Sequence, residues 1–145
     1  MGLVNIPSSL ASSIVLSGAA ATGTITWVAK ASLHDNKTLV VGGKTFEAQV
    51  TGGFVATGGG VIPIDFTACT TAQTVAVAAM TEINATSGIT VTVGYPASGA
   101  SGITATSVGI AGNVAISGTV SDDGVVHTGM SGGYAPLLSS ADELV

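Results

Sequence analysis

The sequence predicts an α+β fold: a β-rich sheet or small sandwich, a single amphipathic helix packed on one face, and extended arms at both ends. Three observations carry this reading. Runs rich in Val, Ile and Thr recur along residues 23–120 with period-two alternation, the pattern of half-buried strands. Two such runs meet at Gly42-Gly43, a hairpin signal, because two consecutive glycines supply the positive φ angles of the tightest turn. One stretch, about residues 70–86, switches to helical spacing. Strands interrupted by one helix give an α+β arrangement rather than a doubly wound sheet.

In chain order, residues 1–21 are rich in Ser and Ala, contain Pro7 and show no clear period; they read as an N-terminal arm. From Gly23, Thr24, Thr26 and Val28 alternate with Ile25, Trp27 and Ala29, so a strand starts there and Trp27, the sole tryptophan, anchors the core. The polar run Leu33-His34-Asp35-Asn36-Lys37 is a turn, followed by the two hairpin strands at 38–41 and 44–50. Residues 51–60 carry five glycines and form a loop. This loop lacks the Gly-Lys-Ser/Thr ending and following helix of a phosphate-binding loop. Residues 61–66 are a short extended segment whose Pro63 suits an edge. Thr70 and Gln73 have capping-box spacing at the helix start. Ala72, Val75, Ala76, Ala79, Met80 and Ile83 then make one apolar stripe, and Gly88 lies just past its end. Strands are expected again at 89–93, 103–108 and 114–120; Asp122-Asp123-Gly124 is a turn, and the compact region ends near Ser131-Gly132-Gly133. The organisation is thus an arm at 1–21, one domain at 22–133 and a tail at 134–145.

Composition excludes several functions. Three lysines, no arginine and a net charge of -5 cannot build a basic footprint for nucleic acid. Gly and Thr interrupt every apolar run before it reaches the roughly 18 residues of a membrane span, so no membrane partner is expected. A hydrophobic stretch at 10–16 and Ala19-Ala20-Ala21 resemble parts of a signal peptide, but the preceding residues have no Lys or Arg. A lone Cys69 allows no internal disulfide and reads as a small buried hydrophobe. With only 8% charged residues, the surface must be largely Thr, Ser, Gly, Ala and Val.

Few side chains offer chemistry. His34 beside Asp35 reads as a solvated turn, and no His-x-x-x-His pair exists for zinc. Asp122 and Asp123 with His127 could hold a surface cation weakly, but an acidic turn making Asx hydrogen bonds is the favoured reading. Glu47 and Glu82 are isolated. No catalytic, cofactor-binding or metal-binding residue is singled out. The structural and interaction candidates are Trp27, Gly42, Gly43, Thr70, Gln73, Val75 and Ile83 in the domain, with Leu10, Ile14, Leu137 and Leu138 on the arms. A low-charge surface with two apolar-leaning arms points to assembly with other subunits, driven by burial and therefore tolerant of salt.

The middle of the chain also resembles a module of tailed-bacteriophage virion proteins. The resemblance rests on Gly23-Thr24-Ile25-Thr26-Trp27, on Asp35-Asn36-Lys37 leading through Val41-Gly42-Gly43-Lys44-Thr45-Phe46, on Ile83-Asn84-Ala85 at the helix end, and on Ile103-Thr104-Ala105-Thr106 with Gly109-Ile110-Ala111-Gly112-Asn113. It covers roughly residues 22–133. Asn36 stands where the module usually has Gly, Phe46 where it has Tyr, and the Gly-rich loop is longer than usual. The resemblance implies a non-enzymatic virion component and brings no catalytic residues. Small size, a start at Met1, a single module and arms at both ends favour a capsid decoration (cement) protein. Such a protein would be made in the host cytoplasm and bind the major capsid protein on the outside of the head, as a homo-oligomer with a trimer favoured. The alternatives are a tail tube, fibre or fibre-base subunit, and an adhesin-like glycan-binding module.

Overall fold

The Gly42-Gly43 turn is the joint around which the molecule is organised. In the computed structural model, which describes residues 18–52 and 58–135, both glycines are left-handed, with φ 57° and 76°. They close the hairpin of β2 (Thr38–Val41) and β3 (Lys44–Gln49), whose register runs from Val41 opposite Lys44 to Thr38 opposite Glu47. Strand β4 (Val61–Asp65) adds to β3 in parallel. Phe66 N–H donates to the Gln49 carbonyl, so by the period of two Pro63 directs its missing N–H away from β3, where no ladder bond is lost. Pro63 thus sits on an edge, as its sequence context predicts.

The second sheet is antiparallel, in the order β5-β6-β1-β7. Its strands are β1 (Ala20–Thr26), β5 (Val91–Val93), β6 (Ala100–Val108) and β7 (Val126–Ser131). The predicted alternation holds: Ala21, Gly23, Ile25 and Trp27 are buried, while Thr22, Thr24 and Thr26 are exposed. The N-terminal boundary moves, however. Ala20 and Ala21 belong to β1, and Ala21 is fully buried, so the arm ends before Ala19 rather than at residue 21. The Gly42 turn meets this sheet directly, since a Cβ at Gly42 would lie 2.6 Å from Ile89 Cγ1 and 2.9 Å from Val91 Cγ2.

Helix α1 (Ala72–Ala85) buries Val75, Ala76, Ala79 and Ile83 and contacts β4, β5 and β6. The predicted cap at Thr70 and Gln73 is displaced by one residue. Thr71 is the extended N-cap; its hydroxyl accepts from Thr74 N–H at 3.2 Å, and the Thr74 hydroxyl accepts from Thr71 N–H at 3.0 Å. A Thr at the fourth position serves where Gln was expected, because its hydroxyl reaches back over one turn as an amide would. Gln73 is used elsewhere: its amide donates to Pro96 C=O at 2.7 Å and accepts from Gly99 N–H at 3.1 Å. Asn84 does the same for an edge strand, donating to Val93 C=O and accepting from Val93 N–H, both at 2.8 Å. A side-chain amide here replaces the neighbour that β5 lacks on its outer side.

The predicted strand at 114–120 is a stitch between sheets. Its Val114 carbonyl accepts from Met130 N–H in β7 at 2.8 Å, and Ser117 forms a single bridge with Val40 of β2. Ile116 and Val120 are buried, so the alternation is real but reflects a segment crossing the core. Gly118 breaks it, with φ 141°, packed where a Cβ would overlap the Thr38 carbonyl. A short 3-10 helix, Thr119–Asp123, follows. Strand β7 was not legible in the sequence: it buries only Met130, which leaves no hydrophobic alternation to detect. One buried cluster fills the space between sheets and helix, and in it Trp27 meets Phe66 edge-on at 5.5 Å.

Candidate interaction surface

The domain candidates named from sequence are spread through the fold and support it. Trp27, Val75 and Ile83 are core, Gly42 and Gly43 are the turn, Gln73 clasps the 96–99 loop, and Thr70 donates its N–H to the Thr74 hydroxyl at 3.0 Å. Leu10, Ile14, Leu137 and Leu138 lie outside the described residues.

The polar groups form clips. His34 does not pair with its neighbour Asp35; its Nδ1 lies 2.8 Å from Asp123 Oδ1, and its N–H donates to Asp123 Oδ2 at 2.9 Å. Lys37 Nζ donates to Asp122 at 2.9 Å. The two acids therefore pin the turn before β2 onto the helix before β7. His127 lies on β7 opposite Ile25, and among the described residues no three His, Cys, Asp or Glu side chains are grouped to hold a metal. Asp35 accepts from Val50 N–H at 2.5 Å and Thr51 N–H at 3.0 Å. These bonds and the Thr51 hydroxyl, the strongest influence, hold its carboxyl below the usual aspartate range. Cys69 is buried, its thiol directed at Thr74 C=O at 3.4 Å, and burial pushes its pKa up, the opposite of an activated nucleophile. Gly129-Met130-Ser131-Gly132-Gly133 has the spacing of a hydrolase elbow. Such an elbow is a strand-to-helix turn, whereas Ser131 ends β7 opposite Thr22 and is followed by the Tyr134 bridge.

The outer face of the four-stranded sheet has a different character. Thr92, Thr104 and Thr22 are register partners across three strands, and Thr24 pairs with Thr128. All five are exposed. Thr24 and Thr128 hydroxyls lie 3.0 Å apart, and Thr128 Oγ1 also accepts from Thr24 N–H at 3.0 Å. Thr26, Thr106, Gly102, Ala100 and Val126 extend the exposed surface, and none of the four strands contains an Asp, Glu, Lys or Arg. Thr–Thr pairs across strands stabilise a sheet modestly, by roughly 0.2–1 kcal/mol each. Desolvating this face costs little compared with a charged one, because no ion loses its hydration.

At one end of this sheet the two termini of the described domain meet. Ala19 and Tyr134 form a bridge, with N–H to C=O distances of 3.0 and 3.1 Å, and Ala19 C=O also accepts from Gly109 N–H at 3.0 Å. Asn113 clasps Gly133 with its side-chain amide, accepting from Gly133 N–H at 2.8 Å and donating to Gly133 C=O at 3.0 Å. Around this knot Val108, Ile110 and Tyr134 are 55%, 74% and 54% exposed, and Val114 is 40% exposed. Chain continuity and these backbone bonds place them at a single pole, a concentration of apolar surface beyond the isolated exposed residues usual in a monomer.

Comparison of the chain with protein-family models, with curated proteins and with solved structures finds no match. The pole is not evident in the sequence, where Ala19 falls in the expected arm, residues 108–114 in the domain and Tyr134 in the tail. Asn113 closes the pole from its Gly-rich turn through Gly133, a partner twenty residues away that the sequence does not name.

Proposed function

We propose that this chain is a non-enzymatic structural subunit of a bacteriophage virion, a capsid decoration protein that binds the outer surface of the major capsid lattice and acts as a homo-oligomer, with a trimer favoured. The observation that carries the assembly reading is the sheet face free of ionic side chains, adjoining an apolar pole from which both terminal segments depart. A face of this kind gains by burial and loses little by desolvation. Segments leaving side by side can reach neighbouring subunits and add avidity on a repeating surface. The phage assignment within that reading rests on the sequence resemblance. Its signature residues are accounted for by the fold: Gly42-Gly43 form the turn, Asn84 closes the β5 edge and Asn113 closes the polar knot.

The test is sedimentation of the purified subunit with expanded capsids in low and high salt. Stoichiometric, salt-tolerant binding is expected, with reduced occupancy when residues 1–17 are removed, a truncation that leaves Ala19 and β1 intact. Rings or tubes formed by the subunit alone would instead assign it to the tail. Glycan binding with no capsid or tail association would assign it to an adhesin.

A further inference from the structure

The pole holds a pocket of about 150 Å³ with apolar walls from Val91, Ala105, Ala111 and Val114, and with Thr90 and Thr106 beside them. A mainly apolar cavity of this size takes one aromatic ring. Past the opposite end of the β5-β6 hairpin, Tyr95 is 76% exposed, more than any other large apolar side chain among the described residues. We propose that the pocket of one copy of the chain receives the Tyr95 ring of another, so that copies join head to tail. This names the self-contact of the homo-oligomer put forward above and rests on that part of the reading alone.

The argument begins with the loop that carries the ring. Gln73 clasps it at Pro96 and Gly99, Trp27 N–H donates to Gly99 C=O at 2.9 Å, and Ala97 and Ala100 exchange bonds of 2.9 and 3.0 Å. Ser98 is held left-handed at φ 52°, a conformation uncommon outside glycine that persists only where surrounding structure imposes it. A Cβ on Gly99 would lie 2.8 Å from Ala72 Cβ, so the loop is packed down on the helix start. Tyr95 is thus presented to water on a preorganised support, which spares binding the cost of ordering it. Position decides which copy supplies the ring. At about 3.3 Å per residue, Tyr95 lies roughly 13 Å along the chain from Val91 of the pocket, and the clasp keeps its loop from folding back, so a chain cannot fill its own pocket. Chemistry agrees with the match. The Thr106 hydroxyl donates to Thr90 C=O at 3.1 Å and retains lone-pair capacity to accept a phenol O–H. Two copies of net charge -5 repel, which favours contact where ions are absent; neither the pocket lining nor residues 94–100 include Asp, Glu, Lys or Arg. Because ring and pocket are different surfaces, the contact is heterologous and repeats until a ring of subunits closes.

Sedimentation equilibrium of the full chain tests the contact with two variants at exposed positions, Tyr95→Ser and Ala111→Phe, the second plugging the pocket from its rim. Each alone should raise the self-dissociation constant at least about thirtyfold, the effect of losing a hot-spot aromatic. Mixing them restores one contact, because the open pocket of Tyr95→Ser takes the ring of Ala111→Phe. Dimers that grow no further are expected in the mixture, and they also show that both variants are folded. Self-association unchanged in Tyr95→Ser would overturn the proposal while leaving the homo-oligomer standing, and its loss in Tyr134→Ser instead would pair pole with pole. Two variants that fail singly and also fail when mixed would overturn it as well. So would Ala111→Phe that still self-associates but no longer binds capsids, which would make the capsid protein the occupant of the pocket. A parent chain monomeric at every concentration would fail the homo-oligomer reading itself, and this contact with it.

Discussion

Replacing Asn84 by Ala removes both bonds that close the outer side of β5. Each is 2.8 Å long and partly buried, and a typical bond of this kind contributes about 1 kcal/mol net. Val93 N–H and C=O are left without that partner while Val93 itself is 7% exposed, so incomplete rehydration raises the expected loss to about 2–3 kcal/mol. For a domain of this size that corresponds to a fall of roughly 6–9 °C in Tm. Thermal unfolding followed by circular dichroism, with hydrogen exchange at the Val93 amide, measures both the global and the local effect. Asn84→Asp sharpens the test. An ionised carboxylate can still accept from Val93 N–H but meets the Val93 carbonyl with no proton to donate. Its folded-state pKa is raised, so its deficit relative to the parent should shrink as pH falls and the acid O–H takes over the donor role. A Tm unchanged in Asn84→Ala, or an Asn84→Asp deficit independent of pH, would show that the clasp does not hold the edge.

Gly42→Ala and Gly43→Ala should separate: both force a side chain into left-handed backbone at about 1–2 kcal/mol, but only at Gly42 does the new methyl collide with Ile89 and Val91, adding about 1–3 kcal/mol; equal denaturation midpoints would misplace the turn against the second sheet. Ser101 carries a buried hydroxyl without a hydrogen-bond partner, so Ser101→Ala should raise stability by about 1 kcal/mol in urea titration, and a loss would reveal a partner for it. Asp35 and Asp65 have lowered pKa values through hydrogen bonds with Thr51 and Thr67 respectively. Their stabilisation is complete above the unfolded aspartate pKa of about 3.9 and is lost as pH falls through the lower folded values; Tm should drop in that acid range, and Asp35→Asn should flatten the drop.

The sequence exposed those features whose cause is local. The Gly-Gly turn, the alternation through Ile25 and Trp27, the stripe of Val75, Ala76, Ala79 and Ile83, and the edge position of Pro63 each follow from a few adjacent residues. Features held by distant partners were misread or missed. The stretch 114–120 alternates like a strand, yet its neighbours are Met130 and Val40, one in each sheet. The helix cap moved by one residue because a Thr hydroxyl did the work assigned to Gln73, whose amide the 96–99 loop claims. His34 is exposed in its turn as expected, but its bond to Asp123 was missed because the two lie far apart in sequence. The apolar pole needed Ala19, Gly109, Asn113 and Tyr134 brought together, and nothing within any one of those segments announces the others.

The central claim, that the uncharged sheet face and the pole beside it are built for assembly on a virion, is tested most directly by electron microscopy of the phage particle at a resolution that places this subunit. The account predicts the subunit on the outer capsid surface, in contact with the major capsid protein through the Thr22, Thr24 and Thr104 face or the Ala19–Tyr134 pole. A subunit found in the tail, or one docked through the His34 and Lys37 clips with the threonine face and pole both open to solvent, would contradict it.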